Sequence, residues 1–566
     1  MPDARIELTP LIPKPRHAQS IEGKTDLAAT ASVTLDPVKL TKPCEHIIRA
    51  ADCIEIIARD EEALRSARIT LKQIAACSPS YIGFEIHDWA QFENRGFMLD
   101  VSRDRIPTME HLESLVEMLA SLKYNHLQLY FEHTFAYEGH QQIWDGLEPI
   151  THDQIRALDL FCKKHGIELA ANQNCFGHLS HLLTYPDYAH LAETHGEYDF
   201  YGYRRRGPYS LNPSLPGSLE LVNDWIQQLR TCHSSNLFNI GCDEVADLGT
   251  GCSKELVIQL GYARVYSQFV TSIAERCAES DFRPMFWADV AMRFPESLEM
   301  LPDDLIALVW GYEPDSPFEE SLKRTSARGM TAWVCPGTSC WRSFAGRTTE
   351  RKANITNAAS AGSSHGCKGF LLTSWGDLGH RQQWPITLRA LADGASAAWS
   401  GGDLADPEAV DIHVFKEAES GIADWLDDLG DVDLPLRTAL EEQSLPRLLN
   451  ASALFHELHP AHESMPNRGD LADWEQIRER LEGLSRQFPT VNDPLLHDEL
   501  QHALNCCRFA CDTAIMRRGG APASGLDSII TQYENLWAKR SRLPGLSLST
   551  YYYTSLRAEQ ERENLA

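Results

Sequence analysis

The chain has 566 residues, with 52 basic and 80 acidic side chains and a net charge of -28. That length suits two to four domains, and the acidity argues against nucleic-acid binding, which needs a basic face to displace counterions. Fifteen scattered cysteines include no Cys-x-x-Cys and suit reduced thiols in a cytoplasm. The start, MPDARIELTPLIPKPR, has no apolar core of a secretion signal, and no run of 18 apolar residues occurs that could span a membrane.

In chain order, residues 1–90 mix short apolar runs (Ile54–Ile57, Tyr81–Phe84) with a helical stretch at Glu61–Ala75, which predicts a small α+β domain. Residues 91–402 change rhythm. Eight strand-like runs follow one another: Gly96–Val101, Leu127–Phe131, Glu168–Gln173, Phe238–Gly241, Met285–Ala288, Leu305–Trp310, Thr331–Cys335 and Gly369–Thr373. Helical patterns such as Met109–Leu122 and Gln154–Lys164 lie between them. Strands alternating with helices mean βαβ units and a parallel sheet. Eight units predict an α/β fold of the (β/α)8 TIM barrel type, which takes about 250 residues. A doubly wound sheet is the alternative, but no Gly-x-Gly-x-x-Gly follows the first strand. Past the turn-rich SGGDLADPEA, residues 403–566 lose strand signals, and long helical patterns (Leu471–Phe488, Leu495–Met516) predict a helical C-terminal domain. The block Tyr551–Tyr553 near its end reads as helix packing.

A barrel carries its reactive groups where the strands end, on the C-terminal face. Those ends supply Asp100, Ser102 and Arg103; Glu132 and His133; Asn172, Asn174 and His178; Asp243 and Glu244; Trp287 and Asp289; Trp310 and Tyr312; Pro336 and Gly337; and Trp375 and Asp377. A mouth rich in carboxylates and tryptophans suits sugars, whose apolar faces stack on indoles while carboxylates accept hydroxyl hydrogen bonds or move protons. No metal is expected: the pairs His178/His181 and His456/His459 have no clear third ligand. The adjacent acids Asp243 and Glu244 follow a strand and a glycine, which permits close approach of a substrate. Neighbours on a regular strand point to opposite faces. Both acids can therefore serve one sugar only if the strand has ended and the chain bends. They would then touch neighbouring substrate atoms rather than flank the ring, which suits a substrate that supplies its own nucleophile.

Four motifs, Arg95-Gly-Phe-Met-Leu-Asp100-Val-Ser-Arg103, Asn174-Cys-Phe-Gly-His178, Gly241-Cys-Asp243-Glu244 and Trp375-Gly-Asp377, together resemble glycoside hydrolase family 20, the β-N-acetylhexosaminidases. The chain is similar to a bacterial three-domain subgroup, with Ile12-Pro-Lys-Pro15 in the accessory domain. The resemblance implies a retaining exo-enzyme that releases terminal β-linked GlcNAc or GalNAc through an oxazolinium intermediate, without a cofactor. It implies Glu244 as general acid and then base, and Asp243 as the holder of the acetamido N–H. Trp287, Trp310 and Trp375 would wall the pocket, and Tyr312 would reach the acetamido oxygen. Arg95, Glu132 and Asp377 would bind ring hydroxyls, and His178 would orient Glu244 or touch the sugar. The family pattern differs in three places: Cys242 stands for a second glycine, Asp377 for a glutamate, and strand seven lacks a Tyr-x-Asp. The expected partner is an oligosaccharide or glycoconjugate, with no nucleic acid and no membrane, and the helical domain could support a homodimer. A two-carboxylate glycosidase and a sugar-binding protein without activity are the competing readings.

Overall fold

A computed structural model of the protein describes residues 10–77, 80–459 and 465–565. The first nine residues of the N-terminal stretch discussed above therefore lie outside the described residues. Eight parallel strands close into a barrel: Asn94–Asp100, His126–Tyr130, Glu168–Asn172, Leu237–Asn239, Arg283–Trp287, Ile306–Trp310, Thr331–Cys335 and Gly369–Ser374. We refer to them as strands one to eight. Strand eight pairs with strand one over Gly369↔Asn94 to Ser374↔Leu99 and so completes the ring. Nearly every strand position is buried, because both faces of a barrel strand are covered. That is why each strand reads as one apolar run instead of an alternation.

The helices form the outer layer, and local chemistry sets their ends. The helix His152–His165 starts on a capping box made by Thr151 and Gln154 and stops at Gly166, at φ +74°. The N-terminal sheet has five strands in the spatial order His17–Asp26, Ser80–Asp88, His46–Ala50, Ile54–Ala58, Ser32–Leu35, with the helix Glu61–Cys77 packed on it. It meets the N-terminal end of the barrel, where Asp88 accepts from Trp399 Nε1 at 2.9 Å and lies 3.4 Å from the buried Lys123 ammonium.

The C-terminal helices, among them Pro494–Arg517, Leu526–Arg540 and Leu546–Leu565, attach near the barrel's opposite end. Arg105, just past strand one, donates to the His380 carbonyl at 2.8 Å, and so does the Tyr533 hydroxyl, also at 2.8 Å. Ser549 Oγ lies 3.3 Å from Asp104 Oδ2. The helical region is thus tied to the loops after strands one and eight. Tyr553 is fully buried against Tyr533, which is packing, while Tyr551 is exposed.

Candidate active site

Strand four stops at Asn239, and the chain then bends sharply. Gly241, Cys242 and Glu244 take φ values of +68°, +69° and +49°. Gly241 is obligatory on packing grounds as well, since a Cβ there would come within 2.5 Å of Asn174. The bend turns both adjacent acids towards one histidine: His178 Nε2 lies 3.3 Å from an oxygen of Asp243 and 3.3 Å from one of Glu244. His178 sits after strand three, at φ +59°, with the Tyr209 ring packed on it at 5.2 Å. Gly177 beside it admits no side chain, because a Cβ would approach the Asp243 carbonyl to 2.7 Å.

The electrostatics follow from this shared contact. Burial alone would drive the His178 imidazole towards neutrality, but Asp243 and Glu244 lift its pKa to about 10. Burial likewise opposes the Asp243 charge, yet His178 and Asn174 hold its carboxyl below the usual range. Asn174 Nδ2 donates to Asp243 Oδ1 at 2.8 Å, while its Oδ1 accepts from the Cys242 N–H at 3.2 Å. One asparagine thereby fixes both the bend and the acid. Glu244 keeps 26% of its side chain exposed against 10% for Asp243, so it is the one that reaches into open space. The Glu244 N–H donates to Asp289 Oδ2 at 3.0 Å. Burial, reinforced by Asp243 and Glu244, holds the Asp289 carboxyl well above the usual range.

On the other side of the mouth, Arg103 binds Asp100 and Glu132, each at 3.1 Å, and its guanidinium covers the rings of Tyr130 and Trp375 at 4.9 Å. Burial works against that charge, but Glu132 and Asp100 hold its pKa well above the ordinary value. Burial raises the Glu132 pKa in turn, and the Tyr130 hydroxyl donates to Glu132 at 2.8 Å. Asp100 also accepts from the Gly376 N–H at 3.0 Å, which joins the ends of strands one and eight and sets the place of Trp375 and Asp377. Asp377 is half-buried and lies within the field of Arg103.

Between these charged halves is an aromatic basin. Trp310 stacks on Tyr312 at 5.0 Å, the Trp375 indole N–H donates to the Tyr312 oxygen at 2.8 Å, and Trp287 lies 6.0 Å from Trp375 at the base. The Trp287 N–H is buried and has no partner, which leaves a donor at the floor. Trp341 meets Tyr312 edge-on at 5.0 Å.

These features coincide with a match to a known family. Residues 92–368 match the model of glycosyl hydrolase family 20, catalytic domain. The barrel belongs to glycosyl hydrolase family 20. Hexosaminidase D from Bos taurus is 25% identical over 218 residues, which is 37% of this chain and 60% of that protein. Two solved structures share the fold. The chitobiase of Flavobacterium johnsoniae has a TM-score of 0.57 at 15% identity, over 96% of this chain and 99% of its own. The exo-β-N-acetylglucosaminidase of Vibrio harveyi in complex with N-acetylglucosamine has a TM-score of 0.56 at 17% identity, over 80% of each chain.

Within this family 20 barrel, the structure gathers nine of the ten expected site residues at one mouth: Asp243, Glu244, His178, Glu132, Trp287, Trp310, Tyr312, Trp375 and Asp377. Arg95 is the exception and is corrected. It begins strand one at the opposite end of the barrel, buried, where it donates to the carbonyls of Phe92, Glu93 and Lys123 and to Glu62 Oε1 at 2.6 Å. It fastens the N-terminal helix to the barrel and cannot touch a sugar at the mouth. Arg103, at the far end of the same motif, is the arginine that stands there. Asp289, Asn174 and Tyr209 also belong to the site. The first two lie at strand ends, where barrel logic already points. Tyr209 arrives from a long loop and carries no such signal.

Two further points refine the expectations. The Cys242 side chain, where the family pattern has a second glycine, stays out of the pocket: its Sγ turns to the Ile240 carbonyl at 3.4 Å and packs among the outer helices. His178 does have companions with ligand spacing, since its ring and the two acids offer atoms within 4.8 Å of one another. With its pKa near 10, a proton competes with any cation there.

Proposed function

We propose that the protein is a retaining exo-β-N-acetylhexosaminidase that removes terminal β-linked GlcNAc or GalNAc with help from the substrate's acetamido group. One observation carries this reading. The space between the two adjacent carboxylates is filled by His178, 3.3 Å from each. A two-carboxylate glycosidase sets its acids about 5 Å or more apart with the scissile bond between them; no sugar ring fits between Asp243 and Glu244. Both acids sit on one side, which supports a nucleophile supplied by the substrate.

In this mechanism Glu244, the more open acid, gives its proton to the glycosidic oxygen as the acetamido oxygen attacks the anomeric carbon. The same carboxylate then takes a proton from the water that opens the oxazolinium ring. Asp243, held anionic by His178 and Asn174, accepts the acetamido N–H and stabilises the positive charge that grows there. Trp287, Trp310, Tyr312 and Trp375 wall the terminal sugar, while Arg103, Glu132 and Asp377 face its hydroxyls. The hexosaminidase and exo-β-N-acetylglucosaminidase names of the relatives support the same chemistry. The chain's unpaired cysteines support a cytoplasmic setting, and no helix among the described residues is long and apolar enough to cross a membrane. Assembly as a homodimer through the helical region is part of the proposal and is read by sedimentation.

The test is a panel of nitrophenyl β-glycosides. Turnover of the N-acetylglucosaminide or N-acetylgalactosaminide is expected, together with loss of turnover on the glucoside, where hydroxyl replaces acetamido. Comparable rates on the glucoside would refute acetamido participation.

A further inference from the structure

The loop after strand three carries a two-stranded hairpin, Glu197–Phe200 paired with Tyr203–Arg206. Cross-strand partners share a face, and the register Tyr203↔Phe200 and Arg205↔Tyr198 puts these four on one side. Of these, Phe200 and Tyr198 are buried against Tyr209, at ring distances of 5.5 and 5.9 Å, while Tyr203 and Arg205 are exposed, and Tyr209 in turn packs on His178. The hairpin therefore backs the ring that packs on His178, beside the acid pair.

Its tip reaches two further sides of the mouth. Arg293, after strand five, covers the Tyr201 ring at 5.1 Å, and the Tyr201 phenol lies within electrostatic reach of Glu244 and Asp289. Arg342, after strand seven, lies within reach of both Tyr203 and Asp377. Strands three and seven are diametrically opposed in the ring, so the hairpin and Arg342 face each other across the opening. Yet Tyr203 is 74% exposed. Its exposed ring offers an apolar face on which a sugar can stack.

The charge at this rim runs against the rest of the chain. On a protein of net charge -28, the rim holds Arg204, Arg205, Arg206, Arg293 and Arg342. Of these, only Arg204 makes a close ion pair, with Glu197 at 2.8 Å, while Arg342 lies in the field of Asp377. Arg205 and Arg293 lie on aromatic rings, and the Arg342 Nε is buried without an acceptor. Arginines short of close ion partners at the mouth of an acidic protein give this rim a local positive field that favours an anion.

We propose that this rim is a subsite for an anionic second sugar, with Tyr203 stacking on the ring and Arg342 and Arg293 flanking its carboxylate or sulfate. The inference rests on the exo-hexosaminidase reading, because the pocket must hold the terminal N-acetyl sugar for the rim to meet the next one. It narrows the substrate class to acidic glycans, such as those in which an N-acetylhexosamine precedes a uronate or a sulfated residue.

The test compares N-acetylglucosaminyl-β-1,3-glucuronate, its glucose counterpart and a 6-sulfated glucose counterpart in the full-length protein. The uronate should exceed the glucose compound by about tenfold in kcat/KM, carried by KM, and the advantage should fade with added salt. Whether the sulfated compound joins it tells a general anion site from a carboxylate-selective one. The double variant Arg293→Gln/Arg342→Gln should erase the preference, while Tyr203→Ala should weaken all three disaccharides alike. Equal kcat/KM for the uronate and sulfated compounds and glucose, or a preference that survives the double variant, overturns the proposal. Nitrophenyl N-acetylglucosaminide lacks the second sugar, so its turnover, expected to be unchanged in the double variant, reads the pocket separately from the rim.

Discussion

Arg95 and Arg103 open and close one motif, yet they do unrelated work. Between them runs strand one, about 17 Å from Arg95 to Asp100 at the rise of an extended strand. At one end, Arg95 is saturated by three carbonyls and Glu62, a structural knot with nothing left to offer a ligand. At the other, Arg103 is held by two carboxylates but stays 21% exposed at its side chain and faces the aromatic basin. Residue type and motif are equal for the pair; only the end of the barrel differs. The N-terminal face holds the molecule together, and the C-terminal face meets the substrate.

That contrast can be broken by experiment. The largest effect belongs to the C-terminal face: Glu244→Gln should cut kcat by about 10³-fold with little change in the melting temperature, as read by steady-state kinetics and calorimetry. A variant with near-normal turnover would remove Glu244 from the mechanism. Next come the two arginines. Arg103→Met should lower kcat/KM by about 10²-fold through misplaced substrate. Arg95→Met should instead lower unfolding free energy by about 3 kcal/mol, because a carboxylate and three carbonyls lose their donor. Urea titration beside kinetics separates the two, and equal kinetic losses would dissolve the comparison.

A smaller effect concerns pH. The His178 pKa is raised from 6.5 to about 10, so its charge favours the fold fully below 6.5, and that contribution fades as pH rises through 10. The melting temperature should decline over this alkaline window, and His178→Gln should flatten that decline. The smallest effect is expected at Cys242. Its left-handed φ costs about 1 kcal/mol, and a buried thiol returns a similar amount by packing. Cys242→Gly should therefore leave both stability and turnover close to the parent values.

Much of this was legible beforehand, for physical reasons. Buried parallel strands are continuous apolar runs, so all eight stood out, and the loops that follow them point to the mouth. The sharp bend after strand four was also foreseeable, since Asp243 and Glu244 could not otherwise serve one sugar; the positive φ values at Gly241, Cys242 and Glu244 are that bend. Arg95 was misleading only through the resemblance: it precedes the run Gly96–Val101, so barrel logic already placed it at the N-terminal end, where a stability role is expected. His178 joins the acid pair from a distant loop, and no spacing rule connects residues brought together only by closure. The hairpin at Glu197–Arg206 was silent for another reason: it is short and its second strand is wholly exposed, so it has no apolar rhythm.

The ties from Arg105 and Tyr533 to the His380 carbonyl, and from Ser549 to Asp104, give the helical region a further meaning. They make catalytic geometry hostage to a part of the molecule that touches no sugar. On gentle heating, loosening of the last helices should release the loops after strands one and eight first. Activity would then vanish while the barrel's far-ultraviolet signal is still intact.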